Sequence, residues 1–136
     1  MPGSYTILLV DDDLEDIEMF NEIALELYPG TNCIVAENGL VAIEKLRLGL
    51  DNLPNLILLD LNMPILGGEQ FLEKIAIDPR LSGIPIIVWS TQTYLTENLV
   101  KKYHVTVLQK PVSYNDLVNT VHLILGANDV NDSLAA

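Results

Sequence analysis

The sequence predicts an α/β domain, a doubly wound five-stranded parallel sheet with five helices. Three observations predict it. Short apolar runs alternate with longer segments of helical period along nearly the whole chain. These runs are apolar almost throughout, without in–out alternation, as expected of strands covered on both faces. The first, third, fourth and fifth runs end in Asp11, Asp60, Ser90 and Lys110, polar residues that a parallel sheet places along one edge.

Each element has its own warrant. "TILLV" (Thr6–Val10) is the first strand. Leu14, Ile17, Phe20, Ala24 and Leu27 then recur at three- and four-residue steps, the stripe of an amphipathic helix, which "PG" at Pro29–Gly30 stops. "CIVAE" (Cys33–Glu37) is the second strand. Asn38 caps the helix that follows to about Leu48, with Gly49 as its stop. "LILLD" (Leu56–Asp60) is the third strand, and the loop "LNMPILGG" leads to a helix carrying Phe71, Leu72 and Ile75. "IPIIVWS" (Ile84–Ser90) is the fourth strand, followed by a helix with Leu95, Leu99 and Tyr103. "VTVLQK" (Val105–Lys110) is the fifth. Ser113 and Asp116 form a capping-box pattern on a last helix that reaches about Leu125. The expected organisation is one domain over residues 1–126 and a flexible tail over 127–136.

The bulk numbers narrow the functional classes. A chain of 136 residues with 49% apolar residues supports a single hydrophobic core and excludes general disorder. A formal charge of -12 argues against nucleic acid and anionic membrane surfaces as partners and suits cations. The single cysteine, Cys33, fits a reducing compartment. The start lacks a basic leader and its apolar run is too short to span a bilayer, so a cytoplasmic location is expected.

With the flavodoxin-like strand order 2-1-3-4-5, the first and third strands are neighbours, and Asp11, Asp12 and Asp60 converge. Carboxylates so close repel one another and call for a cation. An all-oxygen donor set without His or Cys suits a hard divalent ion rather than zinc. Magnesium is commonly shared between one or two carboxylates, waters and phosphate oxygens, which points to a phosphoryl group beside Asp60. A capping role explains Asp13. It does not explain Asp60, which precedes a loop containing Pro64 and two glycines, nor Lys110 on the same edge.

Taken together, "VDDD", "LLDLNMPILGG", "PIIVWS" and "QKPV" resemble the receiver domain of two-component response regulators, over roughly Tyr5 to Leu125. The resemblance implies that Asp60 is the phosphoacceptor, that Asp12 is a direct and Asp11 a water-mediated magnesium ligand, and that the Asn62 backbone carbonyl is a further ligand. It also implies that Ser90 hydrogen-bonds the phosphoryl group and Lys110 pairs with it. Gly68 matches the family glycine after the acceptor; Pro111 follows the lysine, where the family bond is typically cis, whereas a cis X–Pro bond has a sequence prior of only about 5–6%. The implied donor is a phosphohistidine on a sensor histidine kinase or a phosphotransfer protein. The chain would then be a switch and not an enzyme toward other substrates.

Two departures stand out. Val107 occupies the position, three residues before Lys110, where many receivers carry Tyr or Phe, so an aromatic rotamer switch is not expected. Thr91, after Ser90, is bulkier than the usual Ala or Gly and would narrow access to Asp60. "STQT" and "KKYHVTV" resemble single-domain receivers that serve bacterial phytochromes. With no DNA-binding motif or catalytic segment after Leu125, output is expected through contact with a downstream protein, using the fourth and fifth helices and the strand between them. The same face would serve a homodimer.

Other readings weigh less. Aspartyl phosphatases use a second Asp two residues after the nucleophile, where Asn62 stands here. A nucleotide or flavin module would follow the first strand with a Gly-rich or hydroxyl-rich loop. His104 and His122 are read as structural, Cys33 as a small core residue, and Trp89 as packing. Glu15, Asp16, Glu18 and Glu22 are read as a solvated helix face.

Overall fold

The structure, a computed structural model, describes residues 5–61, 66–91 and 96–126. Its elements run β1 (Tyr5–Val10), α1 (Leu14–Leu27), β2 (Thr31–Ala36), α2 (Gly39–Leu48), β3 (Leu56–Asp60), α3 (Gly68–Ile77), β4 (Ile86–Ser90), α4 (Thr96–Tyr103), β5 (Thr106–Gln109) and α5 (Tyr114–Val121). A π-helical turn over His122–Gly126 continues α5. The five strands are parallel and ordered β2-β1-β3-β4-β5, as expected.

The uniform apolarity of the inner strands follows from what covers them. In β1, Leu8 and Val10 face one core with Phe71, Leu72 and Ile75 of α3, whereas Ile7 and Leu9 face the other with Phe20 and Ile23 of α1. In β3, Ile57 and Leu59 join the first core and Leu56 and Leu58 the second. Both faces are dry, so neither needs polar residues. Trp89 packs edge-on against Phe20, ring centroids 5.9 Å apart.

Local signals set the helix ends. Asp13 caps α1, its Oδ1 accepting from the Glu15 and Asp16 N–H groups at 3.1 and 3.3 Å. Asn38 caps α2 through the Val41 N–H at 2.9 Å, and Ser113 caps α5 through the Asp116 N–H at 3.1 Å.

Several boundaries differ from the sequence expectation, each for a physical reason. Strand β4 begins at Ile86, not Ile84, because Pro85 has no N–H to give the ladder; its carbonyl still accepts from Ile57 at 3.0 Å. Strand β2 begins at Thr31, two residues early, since Tyr5 and Thr6 pair with Thr31 and Asn32 despite their polarity. Strand β5 spans Thr106–Gln109, one residue shorter at each end than expected, and the chain turns into it at His104, whose φ is 55°. No cis peptide bond occurs among the described residues, so Lys110–Pro111 is trans. Leu95 and the tail over 127–136 lie outside the described residues.

Cys33 is not a core residue: it sits half-buried on the edge strand β2, at the margin of the second core. Burial pushes its thiol up to about 11. Only the thiolate is nucleophilic, so at pH 8.5 native Cys33 should alkylate roughly a hundredfold more slowly than a free thiol. Iodoacetamide labelling with and without guanidinium checks this, and equal rates in the two would contradict the burial.

Candidate functional site

The C-terminal edge of the sheet gathers the residues that the sequence singled out. Asp11 follows β1, and its N–H still bonds to Ala36 of β2 at 3.1 Å. Asp60 ends β3 and Ser90 ends β4, one residue beyond the Trp89 that pairs with Asp60. All three polar side chains are buried, with Asp11 1%, Asp60 5% and Ser90 0% exposed. Lys110 follows β5, and its N–H bonds to the Ser90 carbonyl at 2.9 Å. That bond stitches the lysine to the end of β4.

One carboxylate oxygen from each of Asp11, Asp12 and Asp60 lies within 4.8 Å of the other two. Asp12 is exposed, giving the cluster an open side. Asp11 is fixed from both ends: Oδ1 accepts from the Asp13 N–H at 2.9 Å, and Oδ2 meets Lys110 Nζ at 2.9 Å. Burial pushes the Asp11 carboxyl above the usual range, a rise opposed by the Asp13 N–H and by Lys110 and reinforced by Asp16. Oδ2 is buried against the Lys110 ammonium. Three clustered carboxylates whose negative charge exceeds that of the one lysine beside them fit a hard divalent cation.

Lys110 is the counter-charge. Its ammonium lies 2.8 Å from Asp16 Oδ2, 2.9 Å from Asp11 Oδ2 and 3.6 Å from Asp60 Oδ2. Burial disfavours its charge, but hydrogen bonds to Asp16 and Asp11, with the nearby charges of Asp11 and Asp60, outweigh it and hold the lysine above its ordinary range. The ammonium also sits 5.4 Å from the centre of the Trp89 ring.

Asp16 is the residue that sequence reasoning missed. Helical periodicity assigns it to a solvated face, yet it makes the shortest contact to Lys110. The available signal was positional: Asp16 lies in the first turn of α1, beside the edge where Lys110 emerges. Glu15, Glu18 and Glu22 are exposed, as expected. His122 is structural, its Nδ1 2.6 Å from the Tyr28 hydroxyl, so it ties the π-helical turn to the end of α1. Val107 is half-buried opposite Val88. Thr91 is exposed just beyond β4, and Asn62 lies outside the described residues. Gly68 opens α3 against the backbone of Asp60 and Leu61.

Such an edge can hold a cation among carboxylates and an anion beside the lysine. Comparison with known proteins gives this arrangement a family. The response regulator receiver domain, as a sequence family, matches residues 7–122. Response regulator Rcp1 of Synechocystis sp. is 32% identical over 122 residues, spanning 85% of this chain and 82% of that protein. The crystal structure of the phosphorylated cyanobacterial phytochrome response regulator RcpA superposes with a TM-score of 0.80 at 30% identity, covering 90% of this chain and 91% of that one. The Mn(2+)-bound form of Rcp1 gives 0.76 at 32% identity, covering 88% and 91%. The chain spans 55% and 59% of the length of two other curated relatives, so little more than half of either. It belongs to the response regulator receiver domains of two-component signalling, a family of regulatory switches. No helix among the described residues is long and apolar enough to cross a membrane.

Proposed function

We propose that this chain receives a phosphoryl group on Asp60 from a phosphohistidine, on a sensor histidine kinase or a phosphotransfer protein, and signals through protein–protein contact. The observation that carries the reading is the convergence of Asp11, Asp12, Asp60 and Lys110 on one sheet edge. An Asp60 carboxylate oxygen attacks phosphorus as the phosphorus–nitrogen bond breaks, and the electron pair leaves with the imidazole. The product is an acyl phosphate. Negative charge on the phosphoryl oxygens must be offset throughout. The Lys110 ammonium and the Ser90 hydroxyl supply part of that stabilisation in this chain. Magnesium, held by Asp11, Asp12 and Asp60 with the Asn62 carbonyl, would supply further charge neutralisation when bound. The manganese-bound state of Rcp1 supports a divalent cation at such a site.

The same reading covers the finer assignments. The receiver domain takes in residues up to 126; the protein is cytoplasmic and is not an enzyme toward other substrates. Likeness to RcpA and Rcp1 supports a place among phytochrome-serving receivers. A homodimer or a downstream protein would use α4, β5 and α5. In this reading Ser90 couples the phosphoryl group to that face, since Val107 has no ring to swing and few χ1 states.

The test is intact-mass measurement after incubation with acetyl phosphate. One added phosphoryl group, dependent on magnesium and abolished by EDTA, is the expected result. No mass gain, or a gain indifferent to magnesium, would overturn the reading.

A further inference from the structure

We infer that Asp16 is a positioning residue that seats the Lys110 ammonium on the α1 side of the site, and so trades phosphoryl binding against cation binding. The inference rests on the reading of Asp60 as phosphoacceptor. It starts from three distances. Lys110 Nζ is 2.8 Å from Asp16 and 2.9 Å from Asp11, but 3.6 Å from Asp60. The ammonium is therefore bonded to the two carboxylates on the β1–α1 side and only adjacent to the third.

The charge arithmetic follows from that seat. Asp16 is not one of the three clustered carboxylates, so it brings a fourth negative charge to a site with one lysine. A cation bound among Asp11, Asp12 and Asp60 draws on the charge of Asp11 and repels the ammonium. Asp16 then remains as the partner that Lys110 keeps, which lowers that repulsion. A phosphoryl group on Asp60 acts in the opposite sense: it is anionic, it needs Lys110, and it must compete with Asp16 for it. The Asp16 charge also repels it directly. One carboxylate thus favours the cation and opposes the anion.

The position is built to hold. The Asp16 N–H bonds to the Asp13 cap at 3.3 Å, fixing the first turn of α1. The Lys110 side chain is only 10% exposed and the Asp16 side chain 34%, so the pair is shielded but not sealed. Asp16, Lys110, Trp89, Met19 and Pro111 line a cleft of about 120 Å³, room for the lysine head to shift without moving the backbone.

The test uses two probes of opposite charge on Asp16→Asn, an isosteric change that removes only the charge. Magnesium alone should bind about fivefold more weakly than to wild type. Beryllium fluoride in saturating magnesium should bind about fivefold more tightly. A merely structural role would weaken both. Asp16→Ala should reproduce the opposed signs, and Asp16→Glu, which restores the carboxylate, should fall between. Parallel weakening of both probes, or no change in either, overturns the inference. If wild-type protein itself fails to bind beryllium fluoride in saturating magnesium, the phosphoacceptor reading fails first and this inference falls with it.

Discussion

Asp60→Asn should abolish phosphoryl incorporation from acetyl phosphate, leaving less than a hundredth of the wild-type level by intact mass. The amide has almost the shape of the carboxylate, so the fold should persist, but its oxygen is a poor nucleophile and the negative charge is gone. Position separates Asp60 from its neighbours. Asp11 is engaged at both oxygens, by the Asp13 N–H and by Lys110. Asp12 is exposed. Asp60 is buried at the end of the central strand β3, within reach of Lys110 at 3.6 Å and one register step from Ser90. The variant should also gain stability, because one of three crowded carboxylates becomes neutral: roughly 1–2 kcal/mol when no cation is bound. Undiminished incorporation in Asp60→Asn would move the acceptor to Asp11 or Asp12 and break the assignment.

Much of this site was legible because parallel topology turns a one-dimensional feature into a spatial one. A polar residue that ends an apolar run must fall on the same sheet edge as the others. Asp11, Asp60, Ser90 and Lys110 could thus be placed together before any coordinates. What stayed hidden depends on reach or on backbone pairing. Asp16 joins the site only because the long Lys110 side chain leans toward α1, and nothing in helical periodicity reports that lean. Thr31 and Asn32 belong to β2 through hydrogen bonds to β1, which polar side chains do not announce. Pro85 shortens β4 by withholding a donor inside an otherwise strand-like run. Cys33 looked like a core residue from its apolar neighbours, but β2 is an edge strand whose outer positions are half open.

Three glycine substitutions should separate conformational from steric demands, with Gly39→Ala and Gly68→Ala losing stability while Gly83→Ala gains it. None of the described glycines has a positive φ, so alanine is conformationally allowed at all three. Propensity alone favours alanine at the starts of α2 and α3, by up to about 1 kcal/mol. Sterics reverse the sign. A Cβ on Gly39 would collide with the Leu66 carbonyl oxygen, and one on Gly68 would lie 2.7 Å from Leu61 Cα. Both obstacles are anchored at the backbone, and Leu66 already holds a φ of 51°, a strained setting for leucine with little freedom to yield. Each substitution should therefore cost about 2–3 kcal/mol net, as expected for overpacking. At Gly83 a Cβ meets nothing within 4 Å, and alanine there should add about 0.4–1 kcal/mol by restricting the unfolded chain. Urea titration reads all three. The consequence for signalling follows from where the clashes fall: α2 presses on Leu66 and α3 on Leu61 and the Asp60 carbonyl. Helix α3 therefore braces the backbone that carries the acceptor, and α2 braces the loop residue Leu66. Gly68→Ala should accordingly slow acetyl phosphate labelling even at temperatures where the variant is fully folded. Melting of Gly39→Ala and Gly68→Ala at or above the wild-type midpoint would refute the close approach.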